Sequence, residues 1–399
     1  MPPFRLFVLL ITTAAVMAID WVPGYQENLP SADEPERTYR VYLPPQYPGE
    51  APGLPILFLS SPGGNPDLKE YQAWSDRQGV ILIGIDSSKN GPRDNNIRAQ
   101  ELVLKTLAQE KLVFHPNLWF SSGGSGGAQA SWLLASRYEK NFAGILMVAQ
   151  GGWADLGITL GKHLAIAWLH GKDDPIVWAV EAGERIQKGL GNPTKRVVIP
   201  GEHVFGSNAQ RVELLDWIFI NGVLNQPYLD APTRGRLTAA QAERLQAQLE
   251  KGEFAACRSE AETVIGMPLF AKHPHAKAIV TYWQDAVAGE ALAATEPRLR
   301  VRLAAEASAD PRMRSASKTK ELKDILSDVR KDKDLNAEAQ AAKMWVSVRA
   351  AEQDTRSKAK GVRMDVAKAA FAIVNRYPDT LVAVDAQKLI DSLRVELGE

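Results

Sequence analysis

The sequence predicts an α/β domain, built on a mainly parallel sheet with helices on both faces, followed by an all-α domain of helical hairpins. Between residues 37 and 223, short continuous apolar runs alternate with amphipathic stretches. Strands buried on both faces that alternate with helices are typical of crossover units. A stretch with two prolines and a glycine, residues 224–235, then ends this pattern. Beyond it, Ala, Glu, Gln, Lys, Arg and Leu recur at helical spacing.

The apolar runs give seven predicted strands and set the domain boundaries. The predicted strands are 39–43, 55–61, 80–88, 117–122, 144–150, 164–171 and 195–201. We expect an α/β domain at 19–226, a linker at 227–236 and a helical domain at 237–399.

Charge and cysteine content exclude several classes of protein. The 47 basic residues balance the 47 acidic ones, so no net field attracts nucleic acid or an anionic membrane. Cys257 is the only cysteine, which excludes an internal disulfide. We expect it to be a small buried residue of a helix, with an intermolecular bridge as the alternative.

The first 18 residues have the pattern of a secretory signal peptide. Arg5 precedes an apolar run from Leu6 to Val16, and a small residue stands at Ala18. This pattern predicts cleavage after Ala18 and export to the periplasm or the medium. The run is too short to span a bilayer, so no stable membrane insertion is expected, although a retained anchor is the alternative.

The helical domain contains two clear predicted hairpins. Residues 238–266 break at Gly252, with Thr238 as the N-cap, and residues 366–393 break around Pro378. These pairs resemble tetratricopeptide-like hairpins, but no fixed period repeats across the region. Because hairpin arrays commonly bind proteins, a protein partner is expected for this domain, while a cover or dimerisation role is the alternative.

The stretch SSGGSGGAQAS, residues 121–131, has the composition of a flexible linker but lies between a predicted strand and a helical pattern. It contains the motif G-x-S-x-G, with Ser125 at its centre. At a strand-to-helix turn this motif predicts a nucleophile elbow, which holds the serine in a strained conformation between small residues. The N-terminus of the following helix stabilises negative charge there.

A serine hydroxyl needs a base to remove its proton and an acid to orient that base. After Ser125, one predicted strand ends just before Asp173 and Asp174, and the next ends just before His203. Both positions lie beyond the carboxyl end of a strand, where parallel sheets bind ligands. The chain order Ser, Asp, His is the one expected for this architecture.

These residues resemble the α/β-hydrolase family over residues 37–223, specifically its secreted esterase and polyhydroxyalkanoate-depolymerase-like branch. The acid strand of that branch typically reads H-G-x-x-D-x-x-V, and residues 170–177 read HGKDDPIV. The resemblance implies Ser125 as nucleophile, His203 as general base and acid, and Asp174 as the group that orients the imidazole. It also implies ester hydrolysis through an acyl-enzyme, without cofactor or metal, on small or polymeric esters such as acylated polysaccharides or short polyesters.

The resemblance also implies an oxyanion hole. Gly126, the residue after the nucleophile, is one expected donor. The other is expected from the loop after the strand 55–61, where Pro62 has no N–H and leaves Gly63 or Gly64 as the donor. Trp153 follows the strand 144–150 and is expected either to line the substrate cleft or to lie in the core.

Alternatives remain at the level of function. Aligned without a gap to the common G-x-S-x-G-G of this branch, the chain would have Gly124 at the nucleophile and Ser122 at the first glycine. The domain would then be a noncatalytic binding or scaffold protein. We expect the register with Ser125, because Asp174 and His203 would otherwise be coincidental. A peptidase on the same fold is the other rival.

Overall fold

The computed structural model describes residues 19–50, 53–152, 157–353 and 360–397. The chain divides into two compact units, Met1–Asp230 and Ala231–Glu399. Among the described residues, all strands lie in the first unit and the second is entirely helical apart from its turns, so the predicted fold class is confirmed. The proposed signal peptide, residues 1–18, and Trp153 lie outside the described residues. No helix within the described ranges is long and apolar enough to cross a membrane.

The first unit is built on one sheet of eight strands in the order β1-β2-β4-β3-β5-β6-β7-β8. The strands are β1 (Gly24–Pro30), β2 (Thr38–Leu43), β3 (Leu54–Ser60), β4 (Ile81–Ile85), β5 (Phe114–Gly124), β6 (Phe142–Val148), β7 (Ala165–Gly171) and β8 (Thr194–Ile199). Strand β2 runs antiparallel to both of its neighbours, and β3 to β8 are parallel. This is an α/β-hydrolase-like sheet, and the seven predicted strands are confirmed.

Helices cover both faces of this sheet. They are α1 (Gln72–Gln78), α2 (Arg93–Gln109), α3 (Gly126–Arg137), α4 (Val177–Leu190) and α5 (Asn208–Asn225). Phe58 of β3 shares one buried core with Val103 of α2 and Trp132 of α3. On the other face, Phe219 of α5 packs on Phe120 of β5 with ring centroids 5.4 Å apart. Because both faces are covered, the central strands carry apolar residues on both faces rather than only at alternate positions.

Strand β1 was not predicted. It is a partly exposed edge strand that contains asparagine, glutamate and proline, residues depleted in strands. Asn28 has a φ of 56°, and the register with β2 shifts between Gln26 and Leu29. Such irregular, polar edges prevent pairing with other chains, and for the same reason they lack the apolar pattern that reveals central strands.

The second unit is a series of helices that pack mainly against members close to them in the chain. They are α6 (Ala231–Glu250), α7 (Phe254–Ile265), α8 (Ala276–Ala293), α9 (Pro297–Ala309), α10 (Thr319–Asp328), α11 (Lys333–Gln353), α12 (Lys360–Arg376) and α13 (Leu381–Leu397). The predicted breaks at Gly252, whose φ is +74°, and around Pro378 are confirmed. Membership of a repeat family stays a prediction.

The start of the helical unit differs from the sequence prediction. Helix α6 begins at Ala231, inside the predicted linker 227–236. Pro232 does not prevent this, because the first turn of a helix has no intrahelical acceptor for the N–H that proline lacks. Thr238 is therefore not an N-cap. It lies within the helix, where its hydroxyl donates to the Arg234 carbonyl at 2.9 Å.

Cys257 lies in α7 and is fully buried, as expected for a small core residue. Its thiol donates to the Leu245 carbonyl at 3.4 Å, and burial raises the pKa of the thiol to about 11. An intermolecular disulfide would therefore require α7 to move away from its neighbours.

His273 is a buried base in the helical unit. Burial, together with the neighbouring His275 imidazole, lowers the pKa of His273 to about 4. Its Nδ1 accepts the backbone N–H of His275 at 3.1 Å, so a second proton on the ring would break this bond.

We expect the free energy of unfolding of the helical unit to fall as the pH decreases from about 6.5 to about 4. In this window folded His273 stays neutral, whereas in the unfolded chain the imidazole regains its ordinary pKa and binds a proton. Urea unfolding followed by circular dichroism, compared between about pH 7 and about pH 4.5, measures this loss. His273→Gln should lose less stability than the wild type, and an equal loss in both proteins would contradict the assignment.

Candidate active site

Ser125 occupies a sharp turn between β5 and α3. It has a φ of 50° and a ψ of −122°, a strained conformation for a residue with a side chain. Its N–H donates to the Val148 carbonyl at the end of β6, at 2.8 Å. Ser122, in contrast, is buried inside β5. The turn geometry expected of a nucleophile elbow is therefore at Ser125, and Gly124 is the last residue of the strand.

The glycines of the motif allow very close backbone contacts. A Cβ on Gly123 would lie 2.4 Å from the carbonyl of Gly127, and one on Gly127 would lie 2.6 Å from the carbonyl oxygen of Ser60 in β3. One on Gly124 would lie 2.7 Å from the ring of Phe205. Helix α3 can thus approach the sheet only because Gly123 and Gly127 have no side chain.

The structure brings Ser125, His203 and Asp174 into one hydrogen-bonded chain. His203 Nε2 lies 3.0 Å from Ser125 Oγ, and His203 Nδ1 lies 2.9 Å from Asp174 Oδ2. A carboxylate only accepts hydrogen bonds, so the ring proton is on Nδ1 and Nε2 accepts the serine hydroxyl. This tautomer is the one that a general base for serine requires.

Asp174, rather than Asp173, contacts the imidazole. The Asp174 carboxylate is fully buried, and its other oxygen accepts the backbone N–H of Ile176 at 3.1 Å. Asp173 is exposed, and its backbone N–H donates to the Gly201 carbonyl at 3.0 Å. His170, at the end of β7, is buried and donates from Nδ1 to the Gly171 carbonyl. The loop after β7 thus presents one carboxylate to the site and the other to solvent.

His203 lies in the loop between β8 and α5 and remains accessible. Its side chain is 43% exposed. The ring of Phe205 stands edge-on to it, with ring centroids 5.6 Å apart, and forms an apolar surface next to the pair. Sequence reasoning missed Phe205, because an aromatic residue two positions after a histidine carries no specific signal. The loop is held where α5 begins by a capping box of Ser207 and Gln210.

The expected oxyanion donors differ in whether their backbone N–H groups already have a hydrogen-bond acceptor in the protein. Gly126 is the first residue of α3, where the helix provides no acceptor for its N–H. Gly64 is disfavoured, because its N–H already donates to the Ser61 carbonyl in a turn at 3.1 Å. Gly63 is exposed and has no backbone acceptor among the described residues. Asn90, which sequence reasoning also missed, lies against Gly126.

Metal-assisted chemistry has no visible ligand set in the described ranges. Within them, no three His, Cys, Asp or Glu side chains are grouped closely enough to hold a metal ion.

No family model matches this chain, and no curated protein matches it. Solved structures resemble about half of it. A thermostable esterase is 15% identical with a TM-score of 0.39, over 49% of this chain and 62% of that one, which is less than two thirds of its length. A feruloyl esterase module from Clostridium thermocellum, in complex with sinapinate, is 13% identical with a TM-score of 0.40, over 49% and 87%. An S-formylglutathione hydrolase from Agrobacterium tumefaciens is 13% identical with a TM-score of 0.37, over 49% and 93%. Structural similarity at this level does not indicate a shared activity.

We expect Gly127→Ala to destabilise the first unit by roughly 1–3 kcal/mol, because the new methyl group would overlap the β3 backbone. Gly189→Ala is the matched control. Gly189 is also helical, and a Cβ there meets nothing within 4 Å, so this change should stabilise by roughly 0.5 kcal/mol. Urea unfolding of both variants checks the two signs, and a Gly127→Ala protein as stable as the wild type would refute the close contact.

Proposed function

We propose that this protein is an exported serine hydrolase that cleaves carboxylic esters, with Ser125 as nucleophile, His203 as general base and acid, and Asp174 as the orienting acid. The hydrogen-bonded chain from Asp174 through His203 to Ser125 carries this proposal. The strained backbone of Ser125 supports it as well, because strain of this kind costs on the order of 1–3 kcal/mol and clusters at functional sites.

In the proposed reaction, Ser125 Oγ attacks the ester carbonyl carbon while His203 Nε2 takes the hydroxyl proton. The carbonyl π electrons move to the oxygen, which becomes an oxyanion beside the Gly126 N–H. As the tetrahedral intermediate collapses, the C–O bond breaks and His203 returns the proton to the leaving alcohol. Water, deprotonated by His203, then attacks the acyl-enzyme, and the same steps release the carboxylic acid and restore Ser125.

Asp174 acts on the imidazole in both halves of the cycle. Its buried carboxylate fixes the tautomer with the proton on Nδ1 and stabilises the imidazolium that forms when Nε2 takes the serine proton. The carboxylate is itself held by the Ile176 N–H. The orientation of His203 is therefore in place before substrate binds.

Esters are favoured over amides by the resemblance of residues 170–177 to the acid strand of the esterase branch. The exposure of His203 and the apolar surface of Phe205 suit a bulky ester, such as an acylated polysaccharide or a polyester chain. Export rests on the signal pattern of residues 1–18. For the helical unit we propose that its helical hairpins bind a protein partner.

We expect a fluorophosphonate probe to label the purified protein at Ser125, because the probe reacts only with an activated serine. Labelling should be lost in Ser125→Ala and reduced by at least about 10³-fold in His203→Ala. Ser122→Ala is the matched control and should be labelled like the wild type. Labelled protein is measured by in-gel fluorescence and intact mass. A folded wild type that takes up no probe would contradict the proposal and favour a noncatalytic binding role.

We further expect Asp174→Asn to lower kcat on an activated ester by roughly 10⁴-fold, because an amide at this position favours the wrong histidine tautomer. The neighbouring Asp173→Asn should change kcat by less than about threefold, since Asp173 is exposed and does not orient His203. Steady-state hydrolysis of a p-nitrophenyl ester measures both. A larger loss in Asp173→Asn than in Asp174→Asn would assign the acid to the other carboxylate.

A further inference from the structure

The oxyanion site proposed above needs a donor in addition to the Gly126 N–H. Oxyanion holes use two or more preorganised donors, of which Gly126 supplies one. In the loop after β3, Pro62 has no N–H and the Gly64 N–H is committed to the Ser61 carbonyl. Gly63 is then the one glycine of this loop whose N–H has no backbone acceptor among the described residues, so the loop offers few free backbone donors.

The side chain of Asn90 lies beside Gly126, the residue that follows Ser125. It belongs to the loop between β4 and α2, and its backbone N–H donates to the Pro62 carbonyl at 2.9 Å, which ties this loop to the one after β3. A Cβ on Gly126 would lie 1.9 Å from Asn90 Oδ1. The carboxamide therefore covers the Cα of the residue that follows Ser125.

The carboxamide of Asn90 is available to a ligand. Asn90 is exposed, and its amide makes no hydrogen bond within the part of the chain that the structure describes. The two ends of an amide exchange by rotation about one bond, so the NH₂ group can occupy the place beside Gly126.

The loop that carries Asn90 is fixed in advance. The buried side chain of Asn96, in α2, accepts from the Lys89 N–H at 2.8 Å and donates to the Lys89 carbonyl at 2.9 Å. One residue earlier, Ser88 Oγ lies 3.0 Å from Ser60 Oγ at the end of β3. A donor held in this way costs little reorganisation when charge develops on the substrate, which is the property that makes an oxyanion donor effective.

We infer that Asn90 Nδ2 is the second oxyanion donor of this site and donates to the substrate oxygen next to the Gly126 N–H. The inference rests on the proposed function and adds a side-chain donor where the loop after β3 supplies few free backbone donors. It assigns to a polar side chain the task that a main-chain N–H usually performs.

Kinetics of Asn90→Ala and Asn90→Asp on a p-nitrophenyl ester test this inference, with Asn95→Ala as the matched control. Asn95 lies five residues further on, and its side chain accepts from Arg37 rather than facing Gly126. Loss of one oxyanion donor lowers kcat by roughly 10²–10³-fold with little change in KM. Both Asn90 variants should show this loss, because aspartate keeps the size of the side chain but has no NH₂ group, whereas Asn95→Ala should retain wild-type kcat.

Fluorophosphonate labelling separates the possible failures. Ser125 and His203 are intact in the Asn90 variants, so the probe should still label them to completion, but at a rate reduced by a similar factor. A wild type that hydrolyses the ester and Asn90 variants with kcat within about threefold of it would overturn the role of Asn90 alone. Recovery of kcat in Asn90→Asp would also overturn it, since the side chain would then only fill space. A folded wild type with neither labelling nor hydrolysis would overturn the proposed function and this inference with it.

Discussion

The close backbone contact between β3, β5 and α3 is the constraint on which the rest of the site depends. Gly123 and Gly127 meet the neighbouring main chain at distances that exclude any side chain. This contact lets α3 start immediately after the strand, so that Ser125 is forced into its strained turn and its hydroxyl projects from the edge of the sheet. The first N–H groups of α3 then face the place where negative charge would develop.

The sheet supplies the remaining geometry. Parallel strands bring their carboxyl ends to one edge, and β5, β7 and β8 each contribute one member of the hydrogen-bonded chain from the loop that follows it. Because helices cover both faces, these strands cannot slide or tilt without disturbing a close-packed core. A mostly exposed loop can therefore hold His203 in register with a buried carboxylate and a strained serine.

Sequence patterns revealed the features that depend on position along the chain. Central strands appear as apolar runs, and Ser125, Asp174 and His203 each follow such a run, so both the sheet and the candidate site could be predicted. Strand β1 could not, because a polar edge strand has no such run. The hydrogen bond from the Gly64 N–H and the position of Asn90 could not be predicted either. They depend on how two loops pack on each other, which tertiary contacts determine and local sequence patterns do not. The sequence also did not reveal the early start of helix α6, because Pro232 lies in its first turn, where proline is compatible with a helix.

The strand order also has a consequence for how the chain acquires its structure. Strand β3 pairs with β5, although β4 and α2 lie between them in the sequence. Strand β2 likewise pairs with β4, although β3 lies between them in the sequence. The helical unit, in contrast, is built mainly from contacts between helices that are close together in the chain. Topologies with many distant pairings form more slowly than those with local ones, because long loops must close before any contact is gained. Although the helical unit is synthesised after the first unit, its topology favours faster folding, and we expect the candidate site, which needs three loops of a completed sheet, to be among the last features of its unit to form.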